Sequence, residues 1–242
     1  MCTLTYIPKQ QTGYLLTSNR DESVFRKPAL SPQKYLLDGI PVMYPKDTEA
    51  GGTWIAISGN GFTLCLLNGA FARHLHKPPY KHSRGLVVTD FFKYNNVSVF
   101  VKEYDFLGIE PFTLVIIESG TEIIIHEIRW DGTSSYYTTL PSDIPQIWSS
   151  AMMYDPEVIE ERGKWFRQFL TSHPDPTPDD MLQFHHFGGG QNTENSVLMN
   201  RNNMLKTISI TSVAHYLVHA NIHHENLLTN EITVSTIEVQ SL

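Results

Sequence analysis

Short apolar runs bounded by turn residues open the chain, and longer runs at helical spacing follow. Thr3 to Ile7 reads as a strand, Gln10 to Gly13 as a turn, and "GYLLTS" as the returning strand, with the polar "NRDE" directly after it. "GGTWIAIS" and "FTLCLLNGA" flank Gly59-Asn60-Gly61, and "PFTLVIIES" and "IIIHEIRW" flank Gly120-Thr121-Glu122. Both patterns predict antiparallel hairpins. Residues 82–94 predict a helix with Ser83 as N-cap and Leu86, Val87, Phe91 and Tyr94 on its buried side. Residues 155–170 predict a longer one. There Asp155 stands at the cap, Pro156 at the first position, and Val158, Ile159, Trp165, Phe166, Phe169 and Leu170 recur at helical spacing. "TPDDMLQFHHF" predicts a short helix stopped by Gly188 to Gly190, while "VSVFVKEY" fits helix or strand. The tail returns to β character in "NSVLMN", "LKTISITSV" and "EITVSTIEV". Strands, helices, a hairpin, helices and strands again predict an α+β layered fold with antiparallel sheets. No repeat or linker divides residues 1–242, so one domain is expected.

Composition narrows the function classes. With 41% hydrophobic and 18% charged residues the chain is an ordinary globular sequence. A net charge of −7 with no basic tract argues against nucleic acid or an anionic membrane as the main partner. Two cysteines, Cys2 and Cys65, exclude a disulfide framework and make a reducing cytoplasm the expected compartment. No signal peptide and no run of about 20 apolar residues is present, so no transmembrane segment is expected.

Cys2 is the first candidate for chemistry. Removal of Met1 would leave a thiol and a free α-amine on one residue, a minimal nucleophile–base pair. An α-amine titrates at about 7.7–8.0 and a thiol at about 8.5, so the amine exchanges protons near neutral pH. "SNRDES", Ser18 to Ser23, is the second candidate. Arg20 keeps its charge at any physiological pH and can hold a thiolate or a substrate carboxylate, and Asp21 can orient an ammonium. Asn68, at a strand end before Gly69, can offer its carboxamide to an oxyanion. Cys65 lies within an apolar run and reads as inert core. The eleven histidines carry no recognised metal-ligand spacing. His215 and His219 would lie one turn apart on a helix, but surface or partner-facing roles are the better reading.

A leading Met-Cys, then "SNRDES", "GGTW", "LLNGAF" and "SRGLVVTDFF", resembles the NRDE family, which includes the transport and Golgi organisation protein 2 group. "WSSAMMYD" extends the likeness, "KTISITSV" does so weakly, and residues from about 95 to 145 add little. That family is similar to the N-terminal-nucleophile hydrolases, in particular the cysteine branch with bile salt hydrolases and penicillin V acylases. The resemblance implies a four-layer αββα sandwich and cleavage of a non-peptide carbon–nitrogen bond in a small-molecule substrate, without a cofactor. It implies that Cys2 attacks, Asp21 orients its amine, Arg20 stabilises the thiolate or binds substrate, and Asn68 holds the oxyanion. Asn19 and Arg201 are implied as substrate-binding residues. A second active-site asparagine is expected, with Asn192 and Asn195 outside the core set. The acylase branch places two residues between its arginine and aspartate, whereas Arg20 and Asp21 are adjacent. The alternative is a non-catalytic carrier or chaperone of haem or a lipid-like ligand on the same fold.

Overall fold

The computed structural model describes residues 3–9, 13–191 and 193–240. Strands β1 (Thr3–Lys9) and β2 (Gly13–Ser23) open the chain, followed by β3 (Leu30–Leu37), β4 (Ile40–Lys46), β5 (Ile55–Ser58) and β6 (Phe62–Asn68). Helix α1 (Gly85–Asp90) continues through a 3-10 turn at Phe91–Lys93, and α2 (Val97–Glu103) follows. Then come β7 (Phe112–Ser119), β8 (Ile123–Trp130), β9 (Ser135–Leu140) and β10 (Gln146–Ser149). Helices α3 (Pro156–Ser172) and α4 (Pro178–Phe187) precede β11 (Asn200–Arg201), β12 (Leu205–His215), β13 (His219–Asn226) and β14 (Glu231–Glu238).

Two antiparallel sheets result. One runs β10-β1-β2-β12-β13-β14 with β11 beside β12, and the other runs β3 to β9 in order. Alternation along each strand sorts side chains to two faces. Leu4, Tyr6 and Leu16 face the second sheet and pack with Trp54, Ile57 and Val115. Ile7 and Leu15 face outward and are covered by Phe166 of α3 and by Met181 and Phe184 of α4. On the far side, Val87, Phe91, Phe92 and Phe100 cover Leu64, Leu114 and Ile116. The layers are therefore α, β, β, α, as the resemblance implies.

The hairpins at Gly59–Gly61 and Gly120–Glu122 form as predicted, and "VSVFVKEY" is helical because Asn96 accepts the Val99 N–H at 2.9 Å. Several boundaries differ. The strand β2 does not end at Ser18 but runs through the polar tetrapeptide to Ser23, because β12 pairs with it along that length. Helix α1 starts two residues later than Ser83, with Arg84 at the cap position and no side-chain cap bond. Val88 and Phe92 are buried as well as Val87 and Phe91, while Leu86 and Tyr94 are only half-buried. In "NSVLMN" only Asn200 joins a strand. The predicted turn at Gln10 to Gly13 falls largely on residues 10–12, outside the described residues.

Candidate active site

Adjacent strand residues point to opposite faces, so a tetrapeptide inside β2 cannot present all its side chains to one site. Thr3 pairs with Asn19, and Thr207 and Ser209 pair with Asp21 and Arg20. Ile208 is an extra residue between those two pairs, a β-bulge beside the tetrapeptide. The result splits the signature. Arg20 turns into the layer between the sheets, while Asn19 and Asp21 turn toward α3 and α4.

Arg20 lines a cavity of about 460 Å³ together with Asn68, Trp54, Tyr80, Arg84 and Glu110. Its Nη2 donates to Asp47 Oδ2 at 2.6 Å, and its guanidinium lies 4.4 Å from the centre of the Trp54 ring. Arg26 Nε donates to the same Asp47 oxygen at 2.9 Å. The other oxygen, Oδ1, accepts the backbone N–H groups of Glu49 at 3.0 Å and Ala50 at 2.8 Å. Burial raises the Asp47 carboxyl, but the Arg26 hydrogen bond, the Ala50 N–H and the two guanidiniums outweigh it and hold the group below its usual range. Desolvation lowers the Arg20 pKa, and Asp47 opposes that shift. Asp47 therefore fixes the arginine as a charged, oriented group.

Asn68 closes β6. Its carbonyl accepts Ser150 Oγ at 2.7 Å, while its carboxamide makes no hydrogen bond among the described residues. Gly69 follows at φ +83°, where a Cβ would stand 2.7 Å from Met152 N, so this turn requires glycine. The mouth is closed by a second ion pair, Arg84 Nη2 to Glu110 Oε2 at 3.1 Å, and His74 Nε2 reaches Glu110 Oε1 at 3.2 Å. The glycines of "GGTW" and "SRG" join these walls. Thr53 N donates to Gly85 O at 3.1 Å, and a Cβ on Gly52 would lie 2.4 Å from Gly85 C.

The helix-facing side holds a different set. Asn19 donates to the carbonyls of His185 at 3.1 Å and Val197 at 2.8 Å, and its Oδ1 meets His185 Nδ1 at 2.7 Å. The amide oxygen can only accept, so Nδ1 carries the proton and Nε2 accepts from Thr5 Oγ1 at 2.8 Å. Burial lowers the His185 pKa to about 3, with His186 and Arg162 adding to the shift, so the ring is neutral. Asp21 accepts Tyr154 Oη at 2.8 Å and Thr207 Oγ1 at 2.6 Å. Behind Tyr154 lies Arg162, fully buried, with its guanidinium 3.6 Å from the ring centre. Arg162 donates to Thr3 Oγ1 and Ser196 O at 2.5 Å each and to Asn195 O at 3.0 Å. Arg201 donates to the carbonyls of Met153 and Glu194 at 3.1 Å each, and to Asn195 Oδ1 at 3.3 Å.

The structure thus brings Arg20 and Asn68 to one cavity and sets Asp21, Asn19 and Arg201 behind the sheet from it. Cys2 and Asn192 lie outside the described residues. Cys65 is buried, hydrogen-bonded to Ser18 Oγ at 3.8 Å, and burial pushes its thiol up to about 12. His215 and His219 sit on the two strands of a hairpin, His215 opposite Ala220. Among the described residues no three His, Cys, Asp or Glu side chains form a metal-binding group, and no helix is long and apolar enough to cross a membrane. Asp47, Glu110 and Arg162 escape the motif reading. Arg162 stands inside a helix, and its one sequence signal is a charged residue beside Gly163 on the buried side.

The family model described as Transport and Golgi organisation 2 matches residues 1–153, which contain Arg20, Asp21, Asn68 and the cavity walls. The chain belongs to that family. A search of curated proteins finds no match. Among solved structures, penicillin V acylase from Agrobacterium tumefaciens is similar at 11% identity and a TM-score of 0.54, covering 97% of this chain and 85% of the acylase. A variant of conjugated bile acid hydrolase from Clostridium perfringens is similar at 8% identity and a TM-score of 0.54, covering 100% and 97%. The Caenorhabditis elegans orthologue of N-acylethanolamine-hydrolyzing acid amidase is similar at 14% identity and a TM-score of 0.50, covering 87% and 92%. At such identities the likeness is one of fold, and this family member has the fold of the N-terminal-nucleophile hydrolases.

Proposed function

We propose that the protein is an N-terminal cysteine amidohydrolase acting on a non-peptide carbon–nitrogen bond. One observation carries the reading. Arg20 and Asn68 line the same cavity, and the strand beginning at Thr3 pairs beside Arg20 through Asn19. Cys2 is one peptide unit before Thr3, a Cα step of about 3.8 Å.

In this reading the Cys2 thiol gives its proton to the α-amine and its sulfur attacks the carbonyl carbon. The Asn68 carboxamide donates to the oxyanion, and Arg20 favours the thiolate. The carbon–nitrogen bond breaks as the proton passes to the leaving amine. Water then adds to the thioester, the carbon–sulfur bond breaks, and the thiol regains its proton as the acid departs. Each Asp21 oxygen accepts one hydrogen bond from Tyr154 or Thr207, which leaves lone pairs for the α-ammonium. Asn19 and Arg201 hold the frame in this reading, since their polar groups are bonded to backbone carbonyls and neighbouring side chains. Intact mass before and after treatment with a thiol-reactive acyl probe tests the proposal. The expected species lacks Met1 and takes one adduct, which Cys2→Ala abolishes and Cys65→Ala keeps. A chain that retains Met1 with an unreactive Cys2 refutes the enzyme and leaves the carrier of haem or a lipid-like ligand.

A further inference from the structure

The charge pattern of the cavity bears on what it can hold. Six guanidinium and carboxylate side chains line it: Arg20, Arg26 and Arg84 of one sign, and Glu22, Asp47 and Glu110 of the other. Their formal charges cancel. The deep pair of Arg20 and Asp47 is 6% and 11% exposed, and the mouth pair of Arg84 and Glu110 is 18% and 14% exposed, so both are largely withdrawn from water. An apolar chain laid across such walls would strip the remaining water from paired ions and return no hydrogen bonds, which disfavours its binding. A net charge on the ligand would compete with a pair already made. Neutral donors are left over as well. The Asn68 carboxamide has no hydrogen bond among the described residues, and the buried Trp54 Nε1–H has none either.

Resting on the amidohydrolase reading, we propose that this cavity takes a small polar amide without net charge, neutral or zwitterionic, with a short acyl group, and that it rejects long-chain acyl amides and porphyrins. The carbonyl oxygen meets the Asn68 donor. The other polar groups of the ligand meet the exposed edges of the two ion pairs, and Trp54 and Leu66 supply the limited apolar wall. A volume of about 460 Å³ suits such a ligand, at the small end of the range for ligand pockets.

Two measurements separate this inference from the reading it rests on. Calorimetry on Cys2→Ala with N-acetylglycinamide, octanamide and haemin reports binding without turnover. Saturable binding of N-acetylglycinamide is expected, weakened at least tenfold by adding Asn68→Ala, with octanamide and haemin at least tenfold weaker. Tighter binding of octanamide or haemin, or no binding of N-acetylglycinamide, overturns the ligand class. Hydrolysis by the wild-type chain gives the second arm, read as glycinamide or ammonia released from N-acetylglycinamide and ammonia released from octanamide, with kcat/KM expected at least tenfold higher for the polar amide. An equal or higher value for octanamide overturns the proposal. Binding of N-acetylglycinamide without hydrolysis of either compound sinks the hydrolase reading and keeps the ligand class.

Discussion

Asn19 belongs to the family signature, yet its side chain works as a clamp between β2 and the helix layer, and Asn19→Ala measures that role. The substitution removes three hydrogen bonds in a fully buried setting: two from Nδ2 to the carbonyls of His185 and Val197, and one into Oδ1 from His185 Nδ1. Each bond contributes about 1 kcal/mol net, and each buried group left without a partner costs about 1–3 kcal/mol. The carbonyls have second lone pairs, so the three do not add in full. A destabilisation of about 3–5 kcal/mol is expected, a large share of the 5–15 kcal/mol typical of a domain. Urea unfolding followed by tryptophan emission reads it as a lower midpoint at unchanged slope. The folded fraction should still take the acyl probe at Cys2 at close to the wild-type rate, because Asn19 does not line the cavity. A variant with wild-type stability and a probe rate reduced tenfold would refute the reasoning and return Asn19 to the substrate.

Two further outcomes follow from the same geometry. Gly85→Ala should lower stability by about 1–3 kcal/mol and weaken N-acetylglycinamide binding, because the new Cβ would stand 2.9 Å from Thr53 O and push apart two walls of the cavity; thermal unfolding and calorimetry matching wild type would contradict it. Stability should also fall between about pH 6.5 and pH 4. Burial lowers His185 to about 3, helped by His186 and Arg162, and lowers His224 to about 4, helped by Arg20 and His223 against Glu225. Below about 6.5 the unfolded chain binds protons that the folded rings refuse, which amounts to roughly 2 kcal/mol for each ring at pH 5. Equal urea midpoints at pH 7 and pH 5 would rule this out.

The layers were legible in the sequence where apolar alternation was strong. The hairpins around Gly59–Gly61 and Gly120–Glu122 and the helix after Asp155 needed no tertiary information. Strands without that contrast were hidden. β9 has five of its six residues exposed, β3 carries Pro32 and Lys34 at an edge, and β13 reads "HANIHHEN", whose polar residues alternate with buried Ala220, Ile222 and His224. These strands owe their form to neighbours far away in the chain. The same cause hid the ends of β2. A polar tetrapeptide reads locally as a turn, and only pairing with β12, nearly two hundred residues later, keeps it extended. Asp47 and Arg162 were missed for a related reason: each is defined by a partner, Arg20 or Tyr154, that sequence distance conceals.

The adjacency of Arg20 and Asp21 takes on a physical meaning from strand parity. The acylase branch sets two residues between its arginine and its aspartate, an offset of three, whereas the offset here is one. Both offsets are odd, so in either arrangement the two side chains lie on opposite faces of the strand. If the aspartate position is held fixed, the arginine moves by two residues, about 6.7 Å along the strand, without changing face. The position it vacates is Ser18, which accepts a hydrogen bond from Cys65 in the layer between the sheets. A serine there leaves the deep layer free of a second cation, and Asp47 supplies the carboxylate that holds the arginine at its new level. The departure from the expected spacing therefore keeps the division of labour between the faces. It sets the charge against Asp47, a carboxylate that Arg26 shares, in a cavity whose walls are ionic.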